Sequence, residues 1–140
     1  MKIAEIMTTG VQTVKPGTSA AQARERMRTN RIHHLLVTEG TEVVGLLSSR
    51  DLARGARRTS VGKSVLVTDL MTPRVVMVRP DTSVRRAADL MRGRAIGSLI
   101  VVDRGRAVGI VTVADLLDRI DARAPHEVWL QIGTPRRATE

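Results

Sequence analysis

Gly109-Ile110-Val111-Thr112-Val113-Ala114-Asp115-Leu116-Leu117 reads as the end of a buried strand that turns directly into a helix. A hydroxyl stands at the turn and a carboxylate follows three residues later. The phrase recurs as Gly45-Leu46-Leu47-Ser48-Ser49-Arg50-Asp51-Leu52, 64 positions earlier at both Gly45/Gly109 and Asp51/Asp115. Working outward at that constant offset, residues 6–52 align with 70–116 without a gap, and 17 of the 47 pairs are identical. Ordinary composition would give roughly three to four. The identities include Met7/Met71, Thr8/Thr72, Pro16/Pro80, Ser19/Ser83, Met27/Met91, Val37/Val101 and Gly45/Gly109. The chain is an internal duplication, and the repeat has to be settled before the fold.

Each copy predicts the order β-α-β-β-α. A short extended piece, Val11 to Val14 or Val75 to Val78, stops at Pro16 or Pro80. Thr18-Ser19 or Thr82-Ser83 then offers N-cap oxygens to a helix. Ala20, Ala23 and Met27 fall on one helical face, as do Val84, Ala87, Ala88 and Met91. Two apolar strands follow with a tight turn between them, Glu39-Gly40-Thr41 or Asp103-Arg104-Gly105, so they pair as an antiparallel hairpin. The closing helices are expected from Ser49 to about Arg54 and from Val113 to about Ile120. About 50 residues bury little surface alone. The two copies are therefore expected to pack sheet to sheet about a pseudo-twofold axis, an α+β fold. The expected boundaries are 1–56 for the first repeat, 57–66 for a linker, 67–120 for the second repeat and 121–140 for a tail carrying His126 and Trp129.

Composition narrows the function. Among 140 residues there is one Trp and no Phe, Tyr or Cys. The core is aliphatic, and disulfides, zinc-thiolate sites and thiol catalysis are excluded. Base-stacking aromatic platforms are missing too. The net charge of +9 favours anionic partners, though the Arg residues are scattered rather than blocked. Neither a signal-peptide core nor an apolar run near the ~20 residues of a membrane span is visible, so a cytoplasmic protein is expected. No nucleophile elbow, Walker loop, His-Glu-x-x-His or close acid pair is present, and no enzymatic activity is expected. His33-His34 does not read as a metal site, because neighbours on a strand point to opposite faces.

The paired Met-Thr phrases, the Val-x-Pro-x-Thr-Ser phrases and the two Gly-x-x-Ser/Thr-x-x-Asp phrases resemble the CBS domain in its tandem form, the Bateman module, over residues 1 to about 120. The resemblance implies a regulatory module that binds adenosine-bearing ligands: AMP, ADP or ATP foremost, with NAD and S-adenosyl methionine in the same class. It implies that the Asp takes the ribose hydroxyls, the Ser or Thr contacts ribose or phosphate, and the apolar residue two before it holds the adenine. One expected set is Ile110, Thr112 and Asp115 with Gln12, His33 and His34. The other is Leu46, Ser48 and Asp51 with Val76, Gly97 and Ser98. Many members carry Pro in the middle strand, where this chain has Leu36 and Ile100. A homodimer and a separate effector protein are the implied partners. Taken singly, Ser/Thr-x-x-Asp is also a helix cap. A basic nucleic-acid-binding or structural interaction protein that keeps the fold without a nucleotide is the alternative.

Overall fold

The structure is a computed structural model that describes residues 1–58 and 64–118. Local chemistry sets the elements in the expected order, twice. After Pro16, Ser19 caps helix α1 (Ala20–Asn30): its hydroxyl accepts from Gln22 N–H, and the Gln22 side chain accepts from Ser19 N–H in return. Ser83 caps α4 (Val84–Arg94) by accepting from Arg86 N–H. Both helices stop on a left-handed residue, Arg31 at φ 54° and Ala95 at φ 52°.

The chain forms two compact units, one of Gly10–Val75 and the other of Met1–Thr9 with the residues from Val76 onward. In the first, β1 (Thr13–Val14) pairs parallel with β2 (His34–Glu39), which pairs antiparallel with β3 (Glu42–Ser48). Helix α2 (Ser49–Arg58) follows without a break, and a short helix α3 (Val67–Leu70) closes the unit. Val14, Ala23, Met27, Leu35, Val37, Leu47, Leu52 and Val67 make its aliphatic core. Fully burying one such Leu contributes about 1.5–3 kcal/mol.

The second unit repeats the plan. β4 (Met77–Val78) pairs parallel with β5 (Ser98–Asp103), which pairs antiparallel with β6 (Arg106–Thr112), and α5 (Val113–Asp118) follows. Even the register irregularity recurs, between Val37 and Thr38 and between Val101 and Val102. Its core is Ile3, Ile6, Val78, Ala87, Ala88, Met91, Leu99, Val101, Val111 and Leu116. Two members come from the start of the chain, where a 3-10 turn at Ile3–Glu5 anchors the N-terminal segment. Ile3 N–H donates to Thr82 O at 2.8 Å, and Val84 N–H to Met1 O at 2.9 Å.

Three local features differ from the sequence expectation. The first strand of each copy is shorter, Thr13–Val14 rather than Val11 to Val14 and Met77–Val78 rather than Val75 to Val78, although Gln12 O still accepts from Leu36 N–H at 3.0 Å and Val76 O from Ile100 N–H at 2.9 Å. The first closing helix runs on to Arg58 through Gly55, where a Cβ would meet Leu70 Cδ1 at 2.5 Å. Helix α3 has no counterpart among the expected elements. Residues 59–63 of the expected linker and the whole tail, with His126 and Trp129, lie outside the described residues.

Candidate functional site

Each unit gathers half of each expected set, near the end of its sheet where the hairpin strand becomes the closing helix. In the unit of Gly10–Val75, Leu36 pairs with Leu46, and His34 with Ser48. His33 O accepts from Ser49 N–H at 2.9 Å, tying the start of β2 to the start of α2. In the other unit, Ile100 pairs with Ile110 and Ser98 with Thr112. Gly97 O accepts from Val113 N–H at 3.2 Å, and Val76 O from Ile100 N–H at 2.9 Å. Gln12, His33, His34, Leu46, Ser48 and Asp51 thus share one unit, while Val76, Gly97, Ser98, Ile110, Thr112 and Asp115 share the other.

Both Ser/Thr-x-x-Asp phrases form reciprocal caps. Ser48 N–H donates to Asp51 Oδ2 at 2.8 Å, and Asp51 N–H to Ser48 Oγ at 3.1 Å. Thr112 N–H donates to Asp115 Oδ2 at 2.8 Å, and Asp115 N–H to Thr112 Oγ1 at 3.4 Å. This is the capping box with Asp in the place of the longer acid. Capping engages one carboxylate oxygen and leaves the other to a further partner, so it does not exclude ligand binding.

The second oxygens differ. Asp115 Oδ1 accepts from the Thr8 hydroxyl at 3.2 Å, and Asp115 is half-buried. Asp51 Oδ1 accepts from Arg54 Nη2 at 2.5 Å, and Asp51 is buried. The adenine-side candidates Leu46 and Ile110 are buried at 8% and 4% exposure, so each presents an edge rather than a face to solvent. Gln12 is engaged: its side-chain oxygen accepts from Arg26 Nε at 3.1 Å. His33 is exposed and His34 half-buried. A groove of about 450 Å³ lined by Thr13, Val14, Lys15, Thr18, Gln22, Arg26 and Thr38 contains none of the candidate residues. Among the described residues no cluster of His, Asp and Glu is placed to hold a metal ion.

Thr8, Arg54 and Thr72 enter the sites although their positions did not single them out as site residues. Thr8 and Ile110 exchange backbone hydrogen bonds at 2.9 and 3.0 Å, and Thr72 and Leu46 do so at 2.8 and 3.0 Å. The Met-Thr phrases therefore cover the free edges of β6 and β3. A Cβ on Gly109 would meet Met7 Sδ at 2.7 Å and Thr8 O at 3.0 Å, while one on Gly45 would collide with Met71 Sδ. The repeated glycines are required by this close approach. The identity of Thr8 with Thr72, beside that of Gly45 with Gly109, was the available signal.

The CBS domain family profile matches residues 3–57 and 67–122. The chain is 34% identical over 116 residues to a homoserine O-acetyltransferase of Methanohalobium evestigatum, covering 81% of this chain but 23% of that protein. It is 32% identical over 116 residues to the CBS domain-containing protein YhcV of Bacillus subtilis, covering 81% of each. Among solved structures, the CBS domain pair of protein MJ0100 in complex with 5'-methylthioadenosine and S-adenosyl-L-methionine superimposes with a TM-score of 0.73 at 26% identity, covering 84% of this chain and 94% of that one. No helix of the described residues is long and apolar enough to cross a membrane. With both repeats matched by the profile and both sheets built to one plan, the chain belongs to the CBS domain family as a tandem pair.

Proposed function

We propose that this CBS domain pair is a regulatory sensor of adenosine-bearing small molecules, AMP, ADP or ATP foremost, with NAD and S-adenosyl methionine in the same chemical class. The observation that carries the reading is Asp115. It is half-buried, held by the Thr112 cap through Oδ2, and among the described residues carries at Oδ1 only a neutral hydroxyl. A vicinal diol needs such an acceptor, fixed in place and not already matched by a cation. Ile110, paired through its backbone with Thr8, stands on the same side to meet an apolar base edge. The complex of the MJ0100 pair with two adenosine-bearing ligands supports the same ligand class. Binding shifts the module between conformations that a separate effector protein reads, with the pair acting as a homodimer.

Thermal unfolding with adenosine, AMP, ADP, ATP, NAD and S-adenosyl methionine tests this. A ligand at 100 times its Kd stabilises the native state by about 2.7 kcal/mol, a rise of several degrees in Tm. The shift should vanish in Asp115→Ala and with 2',3'-dideoxyadenosine, which lacks the diol. Silence from the whole panel, or a shift that survives Asp115→Ala, overturns the reading. Oligonucleotide binding that falls steeply with salt would favour the basic interaction protein instead.

A further inference from the structure

Duplication supplies an internal control, because each residue of one half-site has a counterpart 64 positions on. Arg54 breaks the equivalence: its counterpart is Asp118. Arg54 lies one helical turn after Asp51, and its guanidinium donates to Asp51 Oδ1 at 2.5 Å. The Asp51 side chain is 8% exposed against 69% for Arg54, so the contact closes the outward side of a buried carboxylate. Its other oxygen is committed to Ser48 N–H. A ribose diol would have to displace a charge-assisted bond, the stronger kind, with a neutral one.

Among the described residues no cation pairs with Asp115. Its outward oxygen holds the hydroxyl of Thr8, an exposed side chain that can rotate and serve as donor or acceptor. A ribose hydroxyl can join or replace it without separating charges. Asp118, in the place of Arg54, is an exposed carboxylate and offers no donor. Among the described residues no Thr72 hydroxyl bond to Asp51 mirrors the bond from Thr8 to Asp115.

We infer that Arg54 shuts the Asp51 half-site to a ribose diol, so that the chain takes one adenosine-bearing ligand, at Asp115. The inference rests on the nucleotide reading and adds its stoichiometry and the residue that sets it. Isothermal titration calorimetry of the full chain with adenosine and with AMP tests it. The wild type should bind one equivalent per chain. Arg54→Ala should gain a second binding event. Asp118→Arg, on an exposed position, should install the clamp beside Asp115 and weaken the first event at least tenfold. That last variant keeps the test sharp if Arg54→Ala fails to fold. Two equal sites in the wild type, or unchanged binding in both variants, overturns the inference while leaving the nucleotide reading intact. No heat from the wild type or any variant with either probe defeats the nucleotide reading, and the inference with it.

Discussion

The Thr8 hydroxyl donates to Asp115 Oδ1 at 3.2 Å, joining residues 107 positions apart in the chain. The bond is possible because Thr8 is pinned on both sides of its peptide to Ile110, as a one-residue addition to the edge of β6. The N-terminal segment thereby sets the orientation of a carboxylate that the closing helix alone would leave with one fixed oxygen.

Thr8→Val keeps the shape and removes the donor. A typical intramolecular hydrogen bond contributes about 0.5–1.5 kcal/mol, and at an exposed residue the loss should fall at the lower end. Urea unfolding is expected to show that small loss with an unchanged m-value.

Gly109→Ala should be far more costly for one added methyl. Its Cβ meets both the Met7 thioether and the Thr8 carbonyl, the latter at 3.0 Å. Overpacking of this kind costs about 1–3 kcal/mol. Adding Met7→Ala relieves the side-chain clash but not the backbone one. A double-mutant cycle should therefore show positive but incomplete coupling, and full recovery would contradict the close approach described.

Ala95→Gly should stabilise the protein. Ala95 ends α4 at φ 52°, a left-handed conformation that costs an L-residue with a Cβ roughly 1–2 kcal/mol. Ala95 is exposed, so no packing is lost. Part of the gain is offset by the greater freedom of glycine in the unfolded chain, leaving about 0.5–1 kcal/mol. A fall in Tm would count against this geometry.

Glu25 offers a pH signature on the outer face of α1. The hydrogen bond from Arg28, and then its charge, holds the Glu25 carboxyl below its ordinary value of 4.5. A lowered folded-state value contributes stability above the unfolded value, and that stability is lost as pH falls through the folded one. The pair is fully exposed, so water screens it. NMR titration should find Glu25 below 4.5, while Glu25→Gln leaves Tm at neutral pH unchanged within error.

Elements whose cause is local were legible in the amino-acid sequence. Ser19 and Ser83 announce helix starts, Pro16 and Pro80 end the first strands, and the short turns at Gly40 and Gly105 impose the hairpins. The constant offset carries each reading from one copy to the other, down to the reciprocal caps at Asp51 and Asp115. What stayed hidden depends on distance in the chain. No propensity tells that Met7 packs on Gly109, or that Met71 packs on Gly45, because neither partner shapes the other's local conformation. The Arg54 contact was hidden differently: i,i+3 spacing permits it, but Arg on a helix surface usually faces water, and only the burial of Asp51 gives the bond its weight.

The repeats of the text and the bodies that fold do not coincide. Residues 1–9 complete a unit whose remainder starts at Val76, and Val67, Leu70 and Met71 pack into a core built from the first copy. A gene cut midway between the copies would orphan an edge-covering arm on each side and leave Gly45 and Gly109 facing empty grooves.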